Sequence, residues 1–277
     1  MSTSIGHKAR KRFGQNFLQD FNIIDRILNA IKVSDQDHVI EIGPGLGALS
    51  EGLFQHAKQF KVIEIDNDLI PKLEKKFTEL SHKFEKNQEH WEIIHQDALT
   101  VNLSDVSQSG KLRVVGNLPY NISTPLLFCF IEQLCCIEDM HFMLQKEVVE
   151  RICSEPNQKS YGRLSVMLQY YCQCENLFNV PPESFTPQPK VDSAIVRLTP
   201  YQEPPHPCLN LTLLSQLVTQ AFSQRRKTLR NNLKTLKIDN AIRESGIDAS
   251  LRPENIAVAE YVKLCNIMHQ SNIKIHS

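Results

Sequence analysis

No stretch of the 277-residue chain approaches the 18 or more uncharged apolar residues of a membrane span, which excludes an integral helical membrane protein. The N-terminus also lacks an apolar leader core. It opens MSTSIGHKARKRFGQNF, basic and polar, so secretion is not expected. Patterned sequence begins by Phe13, too early for an organelle transit peptide. Eight cysteines are present, but no C-x-x-C pair: Cys135 and Cys136 are adjacent, and Cys172 and Cys174 form C-x-C. A structural zinc site therefore has little support, and reduced, mostly buried cytosolic thiols are expected. With 41% hydrophobic and 22% charged residues, collagen-like, low-complexity and fully disordered classes are excluded as well.

Acidic residues are missing from two stretches. The 31 Lys+Arg balance the 31 Asp+Glu, but unevenly. Residues 1–19 hold Lys8, Arg10, Lys11 and Arg12 and no acid; residues 222–238 hold Arg225, Arg226, Lys227, Arg230, Lys234 and Lys237 and no acid. Two basic patches thus sit on an acidic body. Each Lys or Arg near a phosphate releases a condensed counterion, so such patches are the footprint of a polyanion. A solvated basic helix face is the plainer explanation for either stretch alone; the two together favour nucleic acid.

Hydrophobic periodicity gives an alternation of strands and helices. A helix capped by Asp20 carries Phe21, Ile24, Ile27, Leu28 and Ile31. Strands are expected at 38–42, 60–65, 91–95, 111–115 and 140–144. Helices are expected up to about Ala57, then over 67–80, 124–134 and 146–153, with 81–90 a polar connection. Such βαβ units predict an α/β domain with a mainly parallel sheet. Later come a helix at 163–171 and strands at 176–180 and 191–198, the two strands flanking the Pro-rich PPESFTPQPK. Helices follow over 209–224, 225–236, 239–245 and 254–269. The expected division is a larger α/β domain over 1–202 and a small helical domain over 203–277, with the boundary in PYQEPPHP.

A strand running into Gly43-Pro44-Gly45-Leu46-Gly47 and then a helix places a small-molecule site at the strand's C-terminal edge. The spacing also meets the loose dinucleotide fingerprint, with Ala48 third. Glu64 ends the next strand, where a carboxylate can hold a ribose diol. Two features favour S-adenosylmethionine (SAM) over NAD. Pro44 removes an N–H that a pyrophosphate cradle would use. The edge also offers Glu41, Glu64, Asp66 and Asp97, which suit a sulfonium cation. An ordinary tight turn remains the bland reading of the glycines.

The reacting centre is read from Gly116-Asn117-Leu118-Pro119-Tyr120, expected two strands from the glycine turn. An aromatic amine is a poor nucleophile because its lone pair is delocalised into the ring. The Asn117 side-chain oxygen and the Leu118 carbonyl would accept from its two N–H groups and aim the lone pair at the methyl donor. Pro119 would stiffen the backbone and Tyr120 would stack on the base. Plain loop chemistry is the alternative for Asn-x-Pro.

These residues sit in longer blocks. RFGQNFL (12–18), VIEIGPGLG (39–47), VIEID (62–66), GNLPYNIS (116–123), HFMLQKEVVERI (141–152), YGRLSVM (161–167), FTPQPKVDSA (185–194) and FSQRRKTLRNNL (222–233) resemble the small-subunit rRNA adenine N6,N6-dimethyltransferases of the KsgA/RsmA type. The resemblance implies a Rossmann-like methyltransferase sheet with a small all-helical C-terminal domain. It implies Asn16 and Leu18 over SAM, Gly43 in its glycine loop, Glu64 on its ribose, Asp97 near its adenine, and Asn117 touching both cofactor and amine. It also implies Phe185 on the other face of the target adenine, although the sequence alone reads Phe185 as a loop anchor. Arg225, Arg226, Lys227 and Arg230 would hold rRNA backbone, as would the N-terminal arm. The stretch between Glu64 and Asp97 is longer than is usual for the family.

The expectation is a cytoplasmic, monomeric, metal-free enzyme that dimethylates two adjacent adenosines in a hairpin loop near the 3′ end of 16S rRNA, within the small subunit during 30S biogenesis. The rivals are a noncatalytic RNA or assembly factor, an NAD-dependent oxidoreductase and a DNA adenine methyltransferase.

Overall fold

In the computed structural model residues 16–107, 110–273 and 275 are described; the basic arm from Lys8 to Arg12 lies outside them. The elements in chain order are β1 (Phe17–Leu18), α1 (Phe21–Ile31), β2 (His38–Ile42), α2 (Ser50–His56), β3 (Gln59–Glu64), α3 (Ile70–Lys83), β4 (Trp91–His95), α4 (Leu103–Val106), β5 (Leu112–Asn117), α5 (Ser123–Ile131), β6 (Ile137–Gln145) and α6 (Lys146–Ile152). They continue as α7 (Arg163–Tyr171), β7 (Cys172–Val180), β8 (Phe185–Thr186), β9 (Ser193–Pro200), α8 (Leu211–Ala221), α9 (Leu229–Leu233), α10 (Asp239–Ser245) and α11 (Val258–Gln270).

The main sheet runs β4-β3-β2-β5-β6-β9-β7. Its first five strands are parallel, and β9 returns antiparallel to β6. The expected α/β class with a Rossmann-like sheet is therefore present. β2 and β3 are apolar on both faces because helices cover both sides, as a parallel sheet requires: Val39, Ile40, Ile42, Phe60, Val62 and Ile63 are all buried. Helix α1 starts where Asp20 accepts hydrogen bonds from the Asn22 and Ile23 N–H groups. It buries Ile24, Ile27 and Ile31 and ends at Lys32, which takes the left-handed conformation. Phe21, read as part of that apolar stripe, is instead 79% exposed.

An aromatic block ties α2 and α3 to the sheet. Phe54 stacks on Phe77 at 5.9 Å, and Phe77 meets Phe60 and Trp91 edge-on at 5.5 Å each. The segment 81–90 is more structured than a polar connection. Helix α3 runs on to Lys83, and buried His90 places its ring nitrogens 2.9 and 3.2 Å from the Phe54 and Lys58 carbonyls.

The chain forms two compact units, one of Met1–Val149 with Glu175–Pro200 and one of Glu150–Cys174 with Tyr201–Ser277. This differs from a single cut at 202. Helix α7 buries Leu164, Val166, Met167 and Leu168 and packs on α8 and α11, so it belongs with the C-terminal helices despite its place in sequence. In the same unit Phe222 lies between Tyr161 and Tyr261, with ring centroids 6.4 and 6.0 Å away. The helix expected over 225–236 is also divided. Residues 225–227 form a turn, and Thr228 caps the short α9 by accepting from the Asn231 N–H.

Phe77 touches both helices and sheet through its ring contacts. Phe77→Ala is expected to lower stability by about 3–5 kcal/mol through loss of burial and an unfilled cavity. Urea unfolding followed by the fluorescence of Trp91, the chain's one tryptophan, measures it; a loss under about 1 kcal/mol would contradict the block's role.

Candidate active site

Strand order reverses at β2, with β3 and β4 on one side and β5 on the other. In open α/β sheets such a switch point opens a crevice beyond the carboxyl ends of the strands. β5 pairs directly with β2, Ile42 opposite Gly116. Asn117 and the glycine turn are thus on neighbouring strands, not two strands apart, because the chain crosses to the far side of β2 after β4.

The turn is shaped by backbone that only glycine adopts easily. Gly43 has φ 61° and a Cβ added there would meet nothing within 4 Å, so open space faces it. Gly45 has φ 59°, and the Phe17 ring from β1 lies 3.2 Å from where its Cβ would stand. The Gly47 N–H donates to the Pro44 carbonyl at 2.8 Å. With Pro44 lacking an N–H and Gly47's consumed, the loop is poorly supplied with donors for a pyrophosphate, as the sequence suggested.

Charge dominates this edge. Glu41, Glu64 and Asp66 are 3%, 5% and 1% exposed. Glu64 accepts from the Ile65 and Asp66 N–H groups, each at 2.9 Å, and from the Gly45 N–H at 3.4 Å; burial still raises its pKa. Glu41 accepts the Ser50 hydroxyl at 2.6 Å, and burial pushes its pKa up to about 7. One cation reaches in. Lys76 of α3 donates to the Gly47 carbonyl at 2.6 Å and to the Leu46 carbonyl at 3.3 Å, with its pKa lowered by burial. Three buried carboxyl groups beside one half-buried amine leave a pocket suited to a cationic ligand.

On the neighbouring strand Asn117 donates its amide N–H to the Asn16 carbonyl at 3.1 Å, which leaves its Oδ1 for another partner. Leu118 is held by its N–H on the Met143 carbonyl at 3.2 Å. The following turn closes from the Ile122 N–H to the Pro119 carbonyl, so closure does not use the Leu118 carbonyl. The Tyr120 hydroxyl lies 2.7 Å from buried Ser193 Oγ, and burial raises its pKa.

The other expected residues fall as follows. β1 pairs antiparallel with β8, Leu18 opposite Phe185, which brings Asn16 and Leu18 to this edge. Leu18 and Phe185 are 6% and 4% exposed and lie in the hydrophobic core cluster. Phe185 anchors β8 within that cluster. Asp97 is half-buried two residues past β4 and caps the turn 98–100 through the Leu99 N–H at 3.0 Å. Asn16, Gly43, Glu64, Asp97, Asn117, Leu118 and Tyr120 thus all follow or adjoin the carboxyl ends of β2 to β5. Lys76, Phe17 and Ser193 were not anticipated. Lys76 had one signal: it lies three residues after Leu73 and four before Leu80, on the buried face of α3. The described residues include no group of three or more His, Cys, Asp or Glu arranged to hold a metal, and no helix long and apolar enough to cross a membrane.

In the second unit Arg225, Arg226, Lys227 and Arg230 are all exposed. Buried Asn232 fixes this turn from beneath, its amide donating to the Ala221 carbonyl at 2.7 Å and the Gln224 carbonyl at 3.2 Å. Arg225 also donates to the Lys159 carbonyl at 3.0 Å.

Comparison with known proteins agrees with this geometry. The family model described as ribosomal RNA adenine dimethylase matches residues 6–270. A ribosomal RNA small subunit methyltransferase A of Pseudomonas aeruginosa is 54% identical over 268 residues, 96% of this chain and 97% of its own. One from Shewanella loihica is 53% identical, covering 95% of both chains. The crystal structure of a dimethyladenosine transferase from Plasmodium falciparum superposes with TM-score 0.76 at 26% identity, over 93% of this chain and 98% of that one. The 23S rRNA methyltransferase ErmE shares the fold at TM-score 0.71 and 24% identity, over 92% of this chain and 100% of that one.

The Glu41 carboxyl sets a pH dependence. Its folded pKa of about 7 exceeds the ordinary carboxyl value of 4.5, so the folded state holds its proton longer than the unfolded chain does. Stability from this group is full below 4.5 and is lost as pH rises through 7, a change of roughly 3 kcal/mol. Thermal unfolding of ligand-free protein between pH 5 and 8 is expected to show this fall, and Glu41→Gln to flatten it. Equal pH slopes for both proteins would contradict a buried, ionisable Glu41.

Proposed function

The chain belongs to the ribosomal RNA adenine dimethylase family, and on that premise we propose that it transfers methyl groups from SAM to N6 of two adjacent adenosines in a hairpin loop near the 3′ end of 16S rRNA, giving N6,N6-dimethyladenosine during small-subunit assembly. It acts as a monomer in the cytoplasm. The observation that carries the reading is the pairing, on neighbouring strands, of a pocket with buried negative charge and an asparagine-led turn with free acceptors.

SAM supplies an electrophilic methyl on a sulfonium sulfur. Glu41, Glu64 and Asp66 give that positive charge an environment water would not match, because buried carboxylates interact more strongly than exposed ones. Gly43 lets the backbone approach the cofactor, and Glu64 takes its ribose hydroxyls. Asp97, at the end of the next strand, serves the adenine. Asn16 and Leu18 close the site from β1. Asn117 Oδ1 and the Leu118 carbonyl accept from the target amine's two N–H groups, so its lone pair leaves the ring and points at the methyl carbon. Tyr120 stacks on the base, oriented by Ser193. Phe185 supports this wall from within the core. No strong general base is needed, and catalysis is positioning and electrostatics. Loop adenines are cheaper to unstack than paired ones, which suits a pocket that must accept a whole base. In the second unit the 225–230 turn holds rRNA phosphates, supplying register more than sequence reading.

Incubation with labelled SAM and undermethylated small subunits, followed by nucleoside analysis, is expected to give N6,N6-dimethyladenosine; label in another nucleoside, or none, would overturn the assignment. Asn117→Ala is expected to keep the fold and cut transfer by about 10²-fold or more, since one of two lone-pair-directing acceptors is lost. Arg225, Arg226 and Lys227 changed together to Ala should weaken subunit binding and make its salt slope shallower by roughly 1–3. An unchanged slope would remove this turn from the RNA surface.

A further inference from the structure

Five of the eight cysteines lie in the second unit. Two of them stand apart from the rest. Cys208, just before α8, and Cys265, within α11, have sulfurs 3.8 Å apart although they are 57 residues apart in sequence. We propose that Cys208 and Cys265 form a peroxide-oxidisable dithiol, a modification site in which Cys208 is the attacking and Cys265 the resolving thiol.

The roles follow from placement. Cys208 is half-exposed, so a small oxidant reaches it, whereas Cys265 is fully buried. The neighbouring Cys265 thiol, and after it the Asn210 backbone N–H, outweigh burial and bring the Cys208 pKa down to about 7. The Cys265 pKa moves upward, through that same contact first and burial second, and its sulfur lies 3.4 Å from the Asn210 carbonyl oxygen. Of the two sulfurs, Cys208 is thus the more readily ionised as well as the more accessible. Tyr170 faces the same pair, and its hydroxyl is kept protonated by burial.

The other thiols are poorer candidates. Cys153, Cys172 and Cys174 line a cavity of about 440 Å³, where burial pushes Cys172 up to about 12 and Cys174 higher. In the first unit Cys135 and Cys136 have sulfurs 3.6 Å apart. Adjacent residues, however, hold their Cα atoms about 3.8 Å apart, below the ~4.4–6.8 Å that an unstrained disulfide spans.

The chemistry balances with hydrogen peroxide as oxidant. The Cys208 thiolate attacks one peroxide oxygen and the O–O bond breaks. The departing hydroxide takes up the proton that Cys208 released and becomes water. Cys208 is now a sulfenic acid. Cys265 sulfur attacks it, the S–S bond forms, and the hydroxyl leaves with the Cys265 proton as a second water. Two thiols are oxidised and one peroxide is reduced. The product staples the approach to α8 onto α11.

The test treats the full chain with dilute hydrogen peroxide, then blocks and counts free thiols and maps the peptides. The expected result is six free thiols instead of eight, a mass loss of two hydrogens, and one cross-linked peptide pair joining Cys208 to Cys265. In Cys265→Ala, a sulfenic acid at Cys208 should be trapped by dimedone. In Cys208→Ser, the cross-link should vanish and Cys265 should stay reduced. Recovery of both cysteines in the reduced form, or a bridge confined to another pair, would overturn the proposal. Cys135→Ser with Cys136→Ser serves as background, so a bridge there cannot be mistaken for the expected one.

Discussion

Three carboxyl groups are buried at the carboxyl ends of β2 and β3, with one half-buried ammonium group beside them. This imbalance is the constraint on which the rest of the site depends. Glu64 is tolerated because backbone N–H groups turn toward it, one of them from the glycine turn. Glu41 is tolerated because Ser50 donates to it and Lys76 lies near. Neither arrangement neutralises the pocket fully. A cation entering this pocket would favour the ionised form of carboxyls that burial otherwise holds back, which links ligand binding to stability through simple mass action.

The sheet explains why that pocket lies beside the reacting centre. The acidic pocket and the asparagine-led turn come from segments far apart in sequence, Glu41 in β2 and Asn117 in β5 being 76 positions apart. They meet because β5 enters next to β2, and hydrogen-bonded neighbours cannot drift apart. The short β1–β8 ribbon adds a third segment. Through it the Asn16 carbonyl receives the Asn117 amide, so that side chain is itself oriented from the N-terminal side.

Most of the parallel core was legible in the sequence, because its strands read as short, mostly apolar runs bounded by polar ends and interrupted by a charge such as Glu41 or Lys61. Glycine, asparagine and acidic residues at those ends located the crevice. What escaped had no local signal. The adjacency of β2 and β5 is a matter of crossover direction. The membership of α7 in the helical unit depends on long-range packing, not on its neighbours in sequence. The break at Thr228 was hidden because capping competes with a run of good helix formers, and the cap prevailed. Lys76 was one of several lysines on an amphipathic helix, and its buried role depends on the loop that α3 happens to cover.

A Cβ added at Gly45 would stand 3.2 Å from the Phe17 ring, so a methyl group there would push the ring back by a few tenths of an ångström. Substitutions at these two sites are consequently not independent. A larger residue 45 is easier beside a smaller residue 17, on top of the cost that the left-handed backbone at 45 imposes on any side chain. Among relatives the two positions should drift as a pair, so covariation between them would trace the history of the ribbon across the turn.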